Sequence, residues 1–138
     1  MKSLYTAAAT VTGGREGHGA TSDGKIDVNL SIPKELGGQG GDGTNPEQLF
    51  AIAWAACFLG AVRAVAQGQK KDVGDASITS QISVVQDNGG WALAAELHCK
   101  LPGVSHEEAE AIVKTAHENI CPYSKATRGN VDVKLVVE

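Results

Sequence analysis

Two cysteines, Cys57 and Cys121, are the residues of this chain with the clearest chemical potential. Cys57 lies within a long apolar run, and Cys121 comes directly before Pro122, where a helix is expected to stop. Two thiols that lie close together can cycle between a dithiol and a disulfide through a sulfenic acid. No compact metal-ligand pair such as Cys-x-x-Cys is present, so the pair indicates redox chemistry first.

A reactive Cys57 needs help from another part of the chain. Apolar surroundings raise the pKa of a thiol, and Cys57 is far from the N-terminal end of its predicted helix, so the helix dipole cannot favour the thiolate. Without a nearby cation Cys57 would be an inert core residue. Ala53, Gly60 and Ala61 are small and share its helix face, which leaves room for another chain or a ligand near the sulfur.

The sequence is also consistent with other interpretations of the cysteines. Cys99 falls on the apolar side of a predicted strand and is interpreted as a core residue. A metal site could use Cys57, Cys121 and His117, since His117 and Cys121 are four residues apart. The non-enzyme alternative is a dimeric module that binds a hydrophobic ligand and in which the cysteines are passive.

The helix that carries Cys57 has a well-marked start. Asn45 is a good N-cap, Pro46 suits the first helical position, and Gln48 is placed to complete a capping box. Residues 49–62 carry no charge, and the run is shorter than the ~20 residues needed to cross a bilayer before Arg63 interrupts it. We therefore expect a core or interface helix that is buried on all sides.

The remaining pattern predicts an α+β domain with an antiparallel sheet. Five strands are predicted, over residues 4–11, 25–32, 78–84, 91–101 and 131–137, and apolar residues alternate along the last four. Glycine-rich connections cover residues 13–19 and 36–43, and residues 87–90 form a turn. A second helix begins with a capping box at Ser105 and ends at Pro122. Its predicted buried stripe consists of Ala109, Ile112, Val113, Ala116 and Ile120.

Composition limits the possible classes of protein. The chain has 138 residues, of which 42% are hydrophobic, as expected for a single domain over residues 1–138. A net charge of -4 gives no indication of binding to nucleic acid or to an anionic membrane, both of which attract positively charged proteins. The first residues lack the apolar core of a signal peptide, and three cysteines cannot all pair within one chain. We expect a reducing, cytoplasmic location, where a disulfide is more often catalytic than structural.

The apolar helix also bears on the oligomeric state. One small sheet and one amphipathic helix cannot cover a helix that is apolar all round. A second copy of the chain can cover the remaining side. We therefore expect an obligate homodimer with the Cys57 helix at or near its interface.

Several sequence blocks carry a family resemblance. They run from near the first residue through the segment around Cys121, and they are residues 4–7, 12–15, 35–38, 43–50, 55–58 and 121–124. In these blocks the chain resembles the organic hydroperoxide resistance (Ohr) branch of the Ohr/OsmC family. The resemblance implies an intertwined α+β homodimer in which an antiparallel sheet packs around a buried central helix. It also implies thiol-dependent reduction of organic hydroperoxides in oxidative stress defence.

The resemblance assigns a role to each of four residues. It implies that Cys57 is the peroxidatic cysteine, Cys121 the resolving cysteine, Arg15 the activating cation and Glu47 its carboxylate partner. The resemblance implies recycling by dihydrolipoyl groups of lipoylated proteins. We expect no bound cofactor or metal. The apolar surroundings of Cys57 favour an alkyl or lipid hydroperoxide over hydrogen peroxide.

The spacing of Glu47 and Cys57 raises the question of which chain supplies the carboxylate. They are ten residues apart, so a straight helix separates them by ~15 Å along its axis. No proline or glycine between them would break that helix. We therefore expect Glu47 to serve the cysteine of the partner subunit.

Overall fold

The computed structural model describes all residues, Met1–Glu138, which divide into two compact units, Met1–Leu49 and Phe50–Glu138. The prediction of a single domain over residues 1–138 stays a prediction. The first unit contains β1 (Ala9–Thr12), β2 (His18–Thr21) and β3 (Asp27–Asn29). Helix α1 (Pro46–Gly68) begins in the first unit and continues into the second. The second unit also contains β4 (Ser77–Asp87), β5 (Gly90–Lys100), α2 (His106–Thr115), α3 (Pro122–Thr127) and β6 (Asp132–Val137).

The first unit is built on an antiparallel sheet in the order β1, β2, β3. Strand β2 was not predicted, because His18, Gly19, Ala20 and Thr21 show no apolar alternation. The turn from β1 to β2 requires glycine at position 17, where a Cβ would lie 1.7 Å from the Thr12 carbonyl oxygen. This turn includes a short 3-10 helix, Gly14–Glu16, which carries Arg15.

The two predicted strands of the first unit are too long. Residues 4–8 are not part of a strand, and β1 begins only at Ala9. The predicted strand over residues 25–32 is reduced to β3, and Ile26 at its start is exposed although the alternation placed it on the buried face. Apolar alternation therefore marks a face here but does not show whether that face is covered within one chain.

The sheet of the second unit has the order β4, β5, β6. The predicted hairpin is confirmed: β4 and β5 pair along their whole length, and the Asp87 side chain accepts a hydrogen bond from the Gly89 backbone at 2.7 Å. Strand β6 pairs with β5 in parallel, so the prediction of a purely antiparallel sheet is wrong for this pair. The helical connection through α2 and α3 is long enough to permit a parallel return.

Helix α1 starts where predicted. The Asn45 side chain accepts a hydrogen bond from the Gln48 backbone at 2.9 Å, as an N-cap should. The Gln48 side chain instead accepts from the Thr44 hydroxyl at 2.8 Å, so the predicted reciprocal capping box is wrong. The fully buried side chains of α1 include Trp54, Phe58 and Val62, which pack in the core of the second unit.

Burial of α1 is one-sided within a single chain. Ile52 is 70% exposed, so the expected burial on every side does not hold for one copy alone. By length and composition α1 would also suit a membrane span, but the core helix of a globular domain meets the same criterion. That a second subunit covers the exposed side stays a prediction.

The predicted start of α2 is confirmed by a complete capping box between Ser105 and Glu108. Beyond α2 the chain widens into a π-helical turn, Ala116–Ile120, in which the Cys121 backbone donates to the Ala116 carbonyl at 2.9 Å. This wider turn shifts the register. Ile120, predicted to be buried, is therefore 49% exposed, and Cys121 points inward instead. Pro122 ends this helical stretch as predicted but also opens the unpredicted helix α3.

Candidate active site

The second unit brings Cys57 and Cys121 into contact. Cys57 lies on helix α1, and Cys121 directly follows the π turn. Their two Sγ atoms are 3.6 Å apart, and the Cys121 thiol donates a hydrogen bond to the Cys57 sulfur. Both thiols are free. A disulfide bond is about 2.05 Å long, so closing it requires a movement of only about 1.5 Å. The arrangement can therefore form an intramolecular disulfide without refolding.

The electrostatics within this unit keep Cys57 protonated. Burial raises the pKa of the Cys57 thiol, the neighbouring Cys121 raises it further, and a hydrogen bond from the Tyr123 backbone only partly opposes these effects. A thiolate at Cys57 therefore needs a cation from outside its immediate surroundings, as expected from the sequence.

Three aromatic side chains that contact one another lie on the elements that carry the cysteine pair. Phe50 packs edge-to-face on Trp54 at 5.7 Å and on Tyr123 at 6.2 Å between ring centres. Phe50 and Trp54 precede Cys57 on α1, and Tyr123 follows Cys121. The elements that carry the two sulfurs therefore also carry an aromatic cluster, and both cysteines pack in or against the apolar core.

The first unit contains an ion pair between Arg15 and Glu47. The guanidinium donates two hydrogen bonds to the carboxylate, at 2.9 Å from Nη1 to Oε2 and 2.7 Å from Nη2 to Oε1. The bond to Arg15 lowers the pKa of Glu47, and the bond to Glu47 raises the pKa of Arg15. Both groups therefore stay charged at neutral pH, and the bidentate geometry fixes the plane of the guanidinium.

The four predicted site residues thus form two pairs, each within one unit. Cys99 belongs to neither pair. It is fully buried on β5, and burial, followed by the charge of Glu138, raises its pKa to about 12. Its interpretation as a core residue is confirmed.

Sequence reasoning missed a polar group around the π turn. His117 Nδ1 lies 2.8 Å from Ser124 Oγ, and Arg128 Nη2 donates to the carbonyl oxygens of His117 and Glu118 at 2.7 and 2.9 Å. These bonds join residues seven to eleven positions apart around a turn that no periodic pattern marks. No group of three or more His, Cys, Asp or Glu side chains is placed to hold a metal ion.

Comparison with known proteins agrees with this fold. The sequence matches the OsmC-like protein family over residues 38–136. The chain belongs to this family and, within it, to the organic hydroperoxide resistance branch. A curated relative, the organic hydroperoxide resistance protein of Xanthomonas axonopodis pv. citri, is 53% identical over 99% of this chain and 96% of its own length.

Solved structures give the same result. The chain superimposes on an organic hydroperoxide resistance protein of Legionella pneumophila with a TM-score of 0.93, at 51% identity and 99% coverage of both chains. For one from Elizabethkingia anophelis the TM-score is 0.92, at 45% identity over 100% of this chain and 99% of that chain. The predicted α+β fold of the Ohr/OsmC type is therefore confirmed.

Proposed function

We propose that this chain is a thiol-dependent peroxidase that reduces organic hydroperoxides to alcohols and so protects the cell against them. The main support for the proposal is the contact between two free thiols, because the sulfurs of Cys57 and Cys121 lie 3.6 Å apart. The name of the relative from Xanthomonas, an organic hydroperoxide resistance protein, supports the choice of oxidant.

In the first step the Cys57 thiolate attacks the distal oxygen of the hydroperoxide. The O–O bond breaks, the sulfur is oxidised to a sulfenic acid, and the leaving alkoxide takes up a proton and departs as an alcohol. Arg15 stabilises the thiolate and the developing charge on the leaving oxygen. Glu47 holds the guanidinium in the required orientation through its two hydrogen bonds.

In the second step Cys121 closes the cycle on the protein. The Cys121 thiol loses its proton and attacks the Cys57 sulfenic acid, a sulfur–sulfur bond forms, and the sulfenic oxygen leaves as water. An external dithiol then reduces the disulfide by thiol exchange. We propose a dihydrolipoyl group of a lipoylated protein as that dithiol.

The aromatic surroundings define the substrate class. Phe50 and Tyr123 are partly exposed and offer apolar surface with few polar partners, and buried Trp54 packs behind Phe50. An alkyl or lipid hydroperoxide gains free energy by burying its tail there, whereas the second polar oxygen of hydrogen peroxide would lose its water without replacement. We therefore expect higher kcat/KM values for bulky organic hydroperoxides than for hydrogen peroxide.

The proposed active form is a homodimer. A second subunit would cover the exposed side of α1, on which Ile52 lies. In this arrangement the Arg15–Glu47 pair of one subunit activates Cys57 of the other. The proposed location is the cytoplasm, with no bound cofactor and no nucleic acid or membrane partner.

Thiol titration tests the proposed function. The reduced protein is treated with cumene hydroperoxide, and free thiols are counted under denaturing conditions before and after. We expect the loss of two thiols per chain, Cys57 and Cys121, while buried Cys99 is retained. A binding module with passive cysteines, or a metal site, loses none, and that result would contradict the proposal.

Replacement of Arg15 by alanine should raise the pKa of Cys57. Burial then disfavours the thiolate without a compensating charge. The measurement is the pH dependence of alkylation in a variant that keeps only Cys57, and each unit of upward pKa shift slows alkylation at neutral pH about tenfold.

Two further variants sharpen this test. Arg15→Lys should restore little, because an ammonium group cannot donate two parallel bonds to Glu47 while facing a sulfur. Lys25→Ala removes an exposed positive charge from the same unit and should leave the profile unchanged. An identical profile for Arg15→Ala and the parent protein would remove Arg15 from the mechanism.

A further inference from the structure

We infer that His117, Ser124 and Arg128 form a polar clamp that positions Cys121 for closure of the disulfide. The inference rests on the proposed function of the cysteine pair and goes beyond it, because these residues act on the reaction only through Cys121. They lie on both sides of Cys121 in the sequence and connect the π turn before it to α3 after it.

The charged part of the clamp is Arg128. Carbonyls of a π turn are poorly matched to the hydrogen-bond ladder of a regular α-helix. The Arg128 guanidinium satisfies two of them, the carbonyl oxygens of His117 and Glu118, at 2.7 and 2.9 Å. Hydrogen bonds from a charged donor are about twice as strong as neutral ones, so this contact favours the π geometry over a regular α-helical turn.

The buried part of the clamp is the bond between Ser124 Oγ and His117 Nδ1, at 2.8 Å. Ser124 is fully buried, so loss of this bond would leave a hydroxyl without a partner in an apolar region. His117 also packs against Phe58 of α1, with ring centres 6.3 Å apart. The clamp therefore ties the turn that precedes Cys121 both to α3 and to the helix that carries Cys57.

The position of Cys121 depends on this turn. In a regular α-helix Ile120 would lie on the buried stripe of the helix. The π turn instead leaves Ile120 exposed and buries Cys121, which is only 1% exposed. The Cys121 sulfur then lies 3.6 Å from that of Cys57. A turn that relaxes to α-helical geometry would rotate Cys121 away from its partner.

The chemical consequence is a choice between two fates of the Cys57 sulfenic acid. Attack by Cys121 forms the disulfide and releases water. Attack on a second hydroperoxide molecule transfers one more oxygen to the Cys57 sulfur, releases an alcohol and gives a sulfinic acid, which is not readily reversed. Weakening the clamp lowers the first rate without changing the second, so the ratio of sulfinic acid to disulfide reports on the clamp.

The test measures this ratio in three variants. Reduced protein is treated with excess cumene hydroperoxide, free thiols are alkylated, and mass spectrometry gives the amounts of disulfide and sulfinic acid. Arg128→Gln should raise the ratio about tenfold and Ser124→Ala a few-fold, as expected for loss of a charged and a neutral hydrogen bond. Lys125→Gln removes an exposed positive charge from the same helix and should leave the ratio unchanged.

A Cys121→Ser background separates positioning from a general structural effect. In that background Arg128→Gln should cause no further rise in sulfinic acid, because Cys121 is no longer there to be positioned. An equal rise with and without Cys121, or an unchanged ratio in both Arg128→Gln and Ser124→Ala, would overturn the inference.

A peroxide-free measurement keeps the inference distinct from the proposed function. In glutathione redox buffers Arg128→Gln should lower the equilibrium constant of the Cys57–Cys121 disulfide about tenfold relative to Lys125→Gln. If the parent protein lost no thiols to cumene hydroperoxide, the proposed function would be wrong. The redox equilibrium would still test whether the clamp positions Cys121. Equal constants for the two variants would overturn it.

Discussion

Replacement of Cys57 by serine is expected to abolish hydroperoxide turnover while the fold stays intact. A serine hydroxyl is not ionised at neutral pH and cannot accept the peroxide oxygen as a sulfenic acid. Cys57 is only partly buried where it packs against the core, and serine is close to cysteine in size, so the change removes little packing. The measurement is cumene hydroperoxide consumption with dihydrolipoamide as reductant, alongside circular dichroism. Turnover at the parent rate would refute the mechanism.

The other two cysteines serve as comparisons for this result. Cys121→Ser should allow one oxidation and then stall, because no second thiol can protect the sulfenic acid. Cys99→Ala should retain turnover, since Cys99 is fully buried and its pKa is about 12. Sustained cycling by Cys121→Ser at the parent rate would show that Cys121 is not the resolving cysteine.

Mixed dimers of two inactive chains are expected to regain activity. Cys57→Ser and Glu47→Ala chains are unfolded together, refolded as a mixture, and assayed against each parent variant. If Glu47 of one subunit serves Cys57 of the other, each mixed dimer contains one intact site, and activity rises above that of either parent. If Glu47 serves the cysteine of its own chain, the mixture is no better than Glu47→Ala alone.

A matched mixture controls for the refolding step. Cys57 and Cys121 are in contact within one chain. A mixture of Cys57→Ser and Cys121→Ser chains therefore contains no dimer with a complete cysteine pair, and it should show no recovery. Recovery in this control would mean that the two cysteines react across subunits, contrary to the geometry of the chain.

The parts of the fold that were predictable are those encoded locally. The caps at Asn45 and Ser105 and the turn at residues 87–90 each depend on a few adjacent side chains, and all three are present. Strand β2 and the parallel pairing of β6 with β5 depend on distant partners, which local patterns do not specify. The same limit applies to the burial of Ile120, because one wide turn reversed its orientation.

The candidate site residues could be named from the sequence, and their roles stay predictions. The residue types and the family resemblance named Cys57, Cys121, Arg15 and Glu47. The structure shows the Cys57–Cys121 contact within one unit and the Arg15–Glu47 ion pair within the other. The clamp could not be found in this way. His117 was considered only as a metal ligand, and a serine and an arginine near a helix end are common and carry no spacing signal. Their common role is visible only in the structure, where all three make hydrogen bonds around the π turn.

In the proposed cycle the unequal burial of the two sulfurs would determine which sulfur the reductant attacks. Cys121 is 1% exposed, whereas Cys57 is partly open to solvent. An incoming thiolate must approach the sulfur it attacks along the axis of the disulfide bond, so only Cys57 can be approached from outside. In the proposed cycle the mixed disulfide would therefore form on Cys57, and Cys121 would depart as the leaving group into its enclosed position.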